Sequence, residues 1–100
     1  MLEGRIRAFP MDRFARYELA LEQGKLGDFV QAELGLRAVV RDWPTAGAAW
    51  LQLGQLLIRM ERLDSAREAF TDGLGSLEGV DSAEARRGRR ELQDALEEMS

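Results

Sequence analysis

Cysteine and histidine are both missing from this chain of 100 residues. Without cysteine there is neither a disulfide framework nor a thiolate metal site. Without histidine the chain lacks the commonest metal ligand and the usual general base near neutral pH. Lysine occurs once, at position 25, and tyrosine once, at position 17. A reaction would have to rest on carboxylates, Tyr17 or Ser/Thr hydroxyls, and no spacing pairs a nucleophile with a base. The sequence therefore reads as non-enzymatic, with no metal and no cofactor implied. Long apolar runs are absent too: none approaches the ~18 residues of a spanning helix. The opening MLEGRIRAFP is interrupted by Glu3, Gly4, Arg5 and Arg7, so it is not a secretory signal. The expectation is a cytoplasmic protein with no membrane association. Sustained alternation and clusters of β-branched residues, the marks of strands, are also lacking.

What is present is charge of both signs and a helical rhythm. Charged residues make up 32% of the chain, with a formal net charge of -4. That balance suits a hydrated surface and argues against bulk attraction to nucleic acid or anionic lipid. The length fits one small domain. Proline appears only at positions 10 and 44, and these two residues punctuate the chain. Between them, Met11–Gln23 carries Phe14, Leu19, Ala20 and Leu21 at helical spacing. A break follows at Gly24–Lys25–Leu26–Gly27–Asp28, and Asp28–Arg41 carries Phe29, Ala32, Leu36, Val39 and Val40. Asp28 is a candidate N-cap for this second piece. Pro44 then forces Trp43 out of the helical region. Beyond it, Thr45 is placed to cap a helix reaching Met60, and Leu63 to Leu77 forms the next. Gly73, Gly75 and Gly79 are expected to loosen and end that helix. Asp81 or Ser82 caps a last one, whose Ala85, Gly88, Leu92, Ala95, Leu96 and Met99 share one face. The fold class is all-α.

Sliding the chain by 34 residues superimposes it on itself. Leu19 falls on Leu53, Ala20 on Gly54, Phe29 on Leu63, Ala32 on Ala66, Leu36 on Phe70, and Gly54 on Gly88. Small residues meet small ones and large apolar residues meet large ones. Residues 47–80 carry W-x2-L-G at Trp50, Leu53 and Gly54, with Leu57 at the following tyrosine position and A-x3-F at Ala66 and Phe70. This stretch resembles a tetratricopeptide repeat, whose period and motif these are. Glu78 stands where the closing proline is usual. Residues 13–46 resemble a second copy through Leu19, Ala20, Gly27, Asp28, Phe29, Ala32 and Pro44, departing at Arg16 and Gln23. Residues 81–99 match at Gly88 and resemble the closing helix of such arrays. The division expected is residues 1–10 as an extension, flexible or a short helix, and residues 11–99 as one domain. Gly54 with Ala66, and Ala20 with Ala32, are expected to form the close helix crossings, surrounded by Trp50 and Phe70.

The resemblance implies two αα-hairpins and a closing helix, with first helices lining a concave groove that takes a peptide or partner helix. Carried over residue by residue, the groove positions are Phe14, Tyr17, Leu21 and Lys25, then Leu51, Gln52, Gln55 and Arg59, then Arg86 and Arg89. Tyr17, Leu21 and Leu51 would hold an apolar side chain, and the cations an acidic group. Tyr17 and Leu21 stand where some relatives grip a terminal carboxylate with lysine and asparagine, so that mode is not carried over. The function expected is non-catalytic binding of a protein or peptide. Self-association into a homo-oligomer is the alternative, since Leu2, Ile6 and Phe9 lack a core partner and Trp43 stands at a turn. An arginine-mediated nucleic-acid contact through Arg86, Arg87, Arg89 and Arg90 ranks third, because Glu84, Glu91 and Asp94 lie within pairing reach. Gly73–Gly79 is no phosphate loop, as it ends a helix and lacks the lysine. Asp72, Glu78 and Asp81 lack calcium-loop spacing.

Overall fold

The computed structural model describes residues 12–100 of the chain, so the extension with Leu2, Ile6 and Phe9 lies outside the described residues. Among the described residues five helices follow one another: α1 Arg13–Lys25, α2 Phe29–Asp42, α3 Gly47–Arg59, α4 Leu63–Leu77 and α5 Ala83–Glu98. Among the described residues there is no strand. Helix α1 pairs with α2, and α3 with α4, as antiparallel hairpins, while α2 meets α3 and α4 meets α5. Helix α3 touches all four of the others. Its sequence, GAAWLQLGQLLIR, contains one charge, and Ala49, Leu53, Gly54, Leu56 and Leu57 are buried. This is the helix that burial on several sides requires.

The two hairpins close alike. Asp28 N–H donates to the Gln23 carbonyl at 2.8 Å, and Arg62 N–H to the Leu57 carbonyl at 2.9 Å. Both are the long bond of a helix-ending motif that needs a left-handed residue. Gly27 takes that role at φ 85°, and Glu61 takes it at φ 59°. A Cβ at φ > 0 is unfavourable, so the second copy is the more strained. Helix starts differ from the sequence reading. Asp12 Oδ1 accepts from Ala15 N–H, and Ser82 Oγ from Ala85 N–H, so those two are true caps. Asp28 makes no such bond. Thr45 does not cap α3: Ala46 stands at the cap position, and Thr45 accepts from Gly47 N–H through its carbonyl.

The core falls into two clusters, one shared by α1 to α4 and one by α4 and α5, with Trp50 and Met99 packed against both. Leu36, Val39, Leu53, Leu57, Phe70, Leu77 and Leu92 are its fully buried large side chains. Each contributes about 1.5–3 kcal/mol on removal from water. Gly54 does stand at a close crossing, and the atoms nearest the place of its missing side chain belong to Phe70. A Cβ built on Gly54 would sit 2.1 Å from Phe70 Cε1, 2.5 Å from Cζ and 2.6 Å from Cδ1. The missing side chain makes room for a ring face. In the first hairpin Gly35 closes on Ala20, and Gly24 on Ala32. Gly73 is also not a loosening residue: a Cβ there would meet Trp50 Cβ at 2.8 Å and Leu92 Cδ1 at 2.9 Å. It lies inside α4, where α3 and α5 both press on it.

Candidate functional site: a groove along α1 and α3

Helices α1 and α5 do not touch each other, and α3 lies between them. Two hollows open along the resulting trough. The wider, 440 Å³, is lined by Phe14 and Tyr17 of α1, by Trp43, by the start of α3 at Gly47–Ala49, and by Ser82, Arg87 and Glu91 on the far side. The narrower, 240 Å³, is bounded by Leu21 and Lys25 of α1 and by Gln52, Gln55 and Arg59 of α3. Tyr17 and Leu21 are one helical turn apart, ~6 Å along α1, so the hollows succeed one another along one wall. The helical period explains this, since residues four apart share a face.

Of the expected groove residues, Phe14, Tyr17, Leu21, Lys25, Gln52, Gln55 and Arg59 line these hollows. The other three do not. Leu51 packs against the cluster of Phe70, Leu77, Ala85 and Leu92, and so contributes to the junction with α5. Arg86 turns to Asp81, 2.7 Å away. Arg89 Nη1 donates to the Leu77 carbonyl at 2.7 Å and the Val80 carbonyl at 2.8 Å. Its charge closes the C-terminal end of α4, where a cation is favoured. These assignments follow from tertiary partners that spacing on one helix does not disclose. The arginine row of α5 is also not self-paired as expected: among the described residues only Arg86 forms an ion pair, and Glu84, Glu91 and Asp94 form none.

Sequence reasoning missed the aromatic end of the trough. Trp43, expected at a turn, is half-buried. Its ring meets Phe14 edge-on at 5.0 Å between centroids. The Arg13 guanidinium lies 4.0 Å from the Trp43 centroid, an attractive cation–π arrangement. Phe14 nevertheless remains 61% exposed, which leaves an apolar surface open to the wider hollow. Burial pushes the Tyr17 hydroxyl above its ordinary pKa. At the other end, Lys25 and Arg59 occupy equivalent last turns of α1 and α3. Neither forms an ion pair among the described residues, although Arg59 lies 4.8 Å from the Phe29 ring centroid. The trough therefore runs from an aromatic end to a cationic one, with amides of Gln52 and Gln55 between.

A separate polar tie joins the hairpins away from the trough. Glu33 of α2 accepts from Arg62 at 2.6 Å and from Arg37 at 2.8 Å. Burial raises the Glu33 carboxyl, but the two guanidinium bonds outweigh it and hold its pKa below the ordinary value. Among the described residues no cluster of acidic side chains is placed to hold a metal ion, and no helix is long and apolar enough to cross a membrane.

The arrangement is shared with known structures. A crystal structure of a tetratricopeptide repeat domain protein from Salinibacter ruber superimposes with a TM-score of 0.73 at 26% identity, over 87% of this chain and 93% of that one. A solution structure of a tetratricopeptide repeat domain protein from the same organism gives 0.79 at 27% identity, over 91% and 89%. No protein-family model and no curated protein matches the chain.

Proposed function

We infer that this chain, folded as tetratricopeptide-like helical repeats, is a non-catalytic protein-binding module that holds an extended or helical segment of a partner in the trough between α1 and α3. The observation that carries this reading is the convergence of Phe14, Tyr17, Leu21, Lys25, Gln52, Gln55 and Arg59 on two successive hollows. These residues differ in role. Phe14 and Tyr17, with Trp43, offer an apolar seat for one large side chain. Gln52 and Gln55 supply donors and acceptors for a partner backbone. Lys25 and Arg59 would meet a carboxylate, and both positions are also where a cation complements a helix C-terminus. The segment that fits is acidic at one end and aromatic or aliphatic at the other.

Selection from a displayed random-peptide library tests the reading without knowledge of the natural partner. Enriched sequences should carry an acidic residue spaced from a large apolar one. Lys25→Glu combined with Arg59→Glu should weaken their binding roughly tenfold or more, since charge-assisted bonds are worth ~1.5–3 kcal/mol. Binding unaffected by that pair of reversals would place the ligand elsewhere.

Self-association is favoured by a different observation. Leu26, Val30 and Leu34 of the first hairpin are 77%, 63% and 59% exposed. An apolar group of this kind on one face suits contact with a second copy. Molar mass measured across concentration separates the two: a tight dimer sensitive to Val30→Lys and Leu34→Lys would put assembly first.

A further inference from the structure

The narrower hollow gathers positive charge from two helices. Lys25 and Arg59 are 34 residues apart, the repeat length, and hold the same place in the last turns of α1 and α3. Both line the same 240 Å³ of space. Its floor is apolar, made by Ala20, Gly24, Ala32, Leu36 and Leu56, and Gln52 and Gln55 add amides beside it. Among the described residues no carboxylate lines it, whereas Glu84 and Glu91 line the wider hollow. An anion is thereby directed to one end of the trough.

The helix ends do not need these two cations. The Glu22, Gln23 and Gly24 carbonyls accept from the amides of Leu26, Asp28 and Gly27. The Leu56, Leu57 and Ile58 carbonyls accept in the same way from Met60, Arg62 and Glu61. Arg89 is the contrast, because its guanidinium is engaged with the Leu77 and Val80 carbonyls. Arg59 instead lies over the Phe29 ring, 4.8 Å from its centroid. A contact through the face leaves the N–H edge of a guanidinium for hydrogen bonds.

Two full positive charges and two amides exceed what one carboxylate can satisfy. A carboxylate brings a single negative charge on two oxygens, and a phosphorylated side chain brings about −1.5 to −2 on three. The phosphate matches the cation pair in charge and can give each an oxygen, with a third for an amide.

We propose that the narrower hollow receives a phosphorylated serine or threonine of the partner segment, so that phosphorylation of the partner strengthens its hold in the trough. This rests on the trough reading above and names the acidic group at its cationic end. Lys25 and Arg59 bind the phosphate, Gln52 and Gln55 donate to it, and the apolar floor takes the carbon stem that carries it.

Titration calorimetry with three synthetic peptides tests this. They share one library-selected sequence and carry serine, glutamate or phosphoserine at the acidic position. The phosphoserine peptide should bind about tenfold or more tightly than the glutamate peptide at neutral pH. That advantage should shrink as pH falls through about 6, where the phosphate takes up a proton. The hollow itself does not titrate there: α1 contributes Lys25, α3 contributes Arg59, α2 only Ala32 and Leu36, and the chain has no histidine. Lys25→Gln and Arg59→Gln, both at exposed positions, should together cut the advantage to about twofold or less. Equal binding of the glutamate and phosphoserine peptides would overturn the proposal while leaving the trough reading intact. So would an advantage that survives both substitutions or stays unchanged in acid. A selection that enriches no peptide would remove the trough reading and the proposal together.

Discussion

Replacing Gly54 by alanine adds one carbon, and the structure says where it would go. It would lie 2.1 Å from Phe70 Cε1 and within 2.6 Å of two further ring atoms. Carbon atoms rest about 3.5–4.0 Å apart, so the ring or the helix must withdraw by ~1 Å or more. Phe70 is fully buried, and close-packed interiors leave few voids into which a ring can withdraw. On an open helix face the same change would gain about 1 kcal/mol. Here overpacking costs about 1–3 kcal/mol or more, and the net result should be destabilising by ~1–2 kcal/mol. For a domain of this size each 1 kcal/mol lowers Tm by about 4–8 °C. The first hairpin suggests the remedy, because it carries Ala20 and Leu36 in the places of Gly54 and Phe70. Phe70→Leu alone leaves a void and should cost about 1–2 kcal/mol. Combined with Gly54→Ala it reproduces the first hairpin's pair. The double variant should then be more stable than the sum of the single losses by ~1 kcal/mol or more, a coupling expected only of residues in contact. Urea unfolding of the four proteins measures it. Additive losses, or a Gly54→Ala chain as stable as the original, would refute the crossing geometry.

Other perturbations separate strain from packing. Glu61→Gly should stabilise the chain by about 1 kcal/mol, because it removes a Cβ from a left-handed backbone; an unchanged or lower urea midpoint would contradict this. Gly75→Ala should also stabilise, by up to ~1 kcal/mol, since it is helical and nothing lies within 4 Å of its would-be Cβ; a lower thermal midpoint would count against it. Arg89→Met removes two bonds from a charged donor to the end of α4 and should cost ~1–3 kcal/mol in chemical denaturation. The Glu33 pKa is lowered in the folded chain, so its contribution is complete above the ordinary value of 4.5 and lost as pH falls through the lower folded value. Glu33→Gln should flatten stability over that acid range, and an unchanged slope would show that the tie to Arg62 carries no weight.

The number and type of helices were legible because apolar spacing and the two prolines are local signals. Repeat register was legible for the same reason: Leu53, Gly54, Ala66 and Phe70 recur as a pattern. What spacing could not supply was the partner of each residue. Gly54 was rightly marked as a crossing point, yet spacing did not show that the Phe70 ring fills the room it leaves, which depends on the rotation of α4 about its own axis. Leu19 holds the repeat position of Leu53, yet only Leu53 is buried, a difference that spacing does not disclose. At the site, Tyr17, Leu21, Gln55 and Arg59 were recoverable through the resemblance, which carries groove positions over residue by residue, and they line the two hollows. Arg89 was not, because the carbonyls that bind it, of Leu77 and Val80, stand twelve and nine residues back at and beyond the end of α4. Nor was the Phe14–Trp43 contact, which joins α1 to a turn across the whole length of α2.

The most direct test of the binding groove is amide chemical-shift mapping of a library-selected peptide on the isotope-labelled chain. Shifts should concentrate on Tyr17, Leu21, Lys25, Gln52, Gln55 and Arg59, with little change at Val30, Leu34 and Glu68 on the exposed side of the second helices. A footprint centred on α2 and α4, with the α1–α3 trough unmoved, would contradict the account.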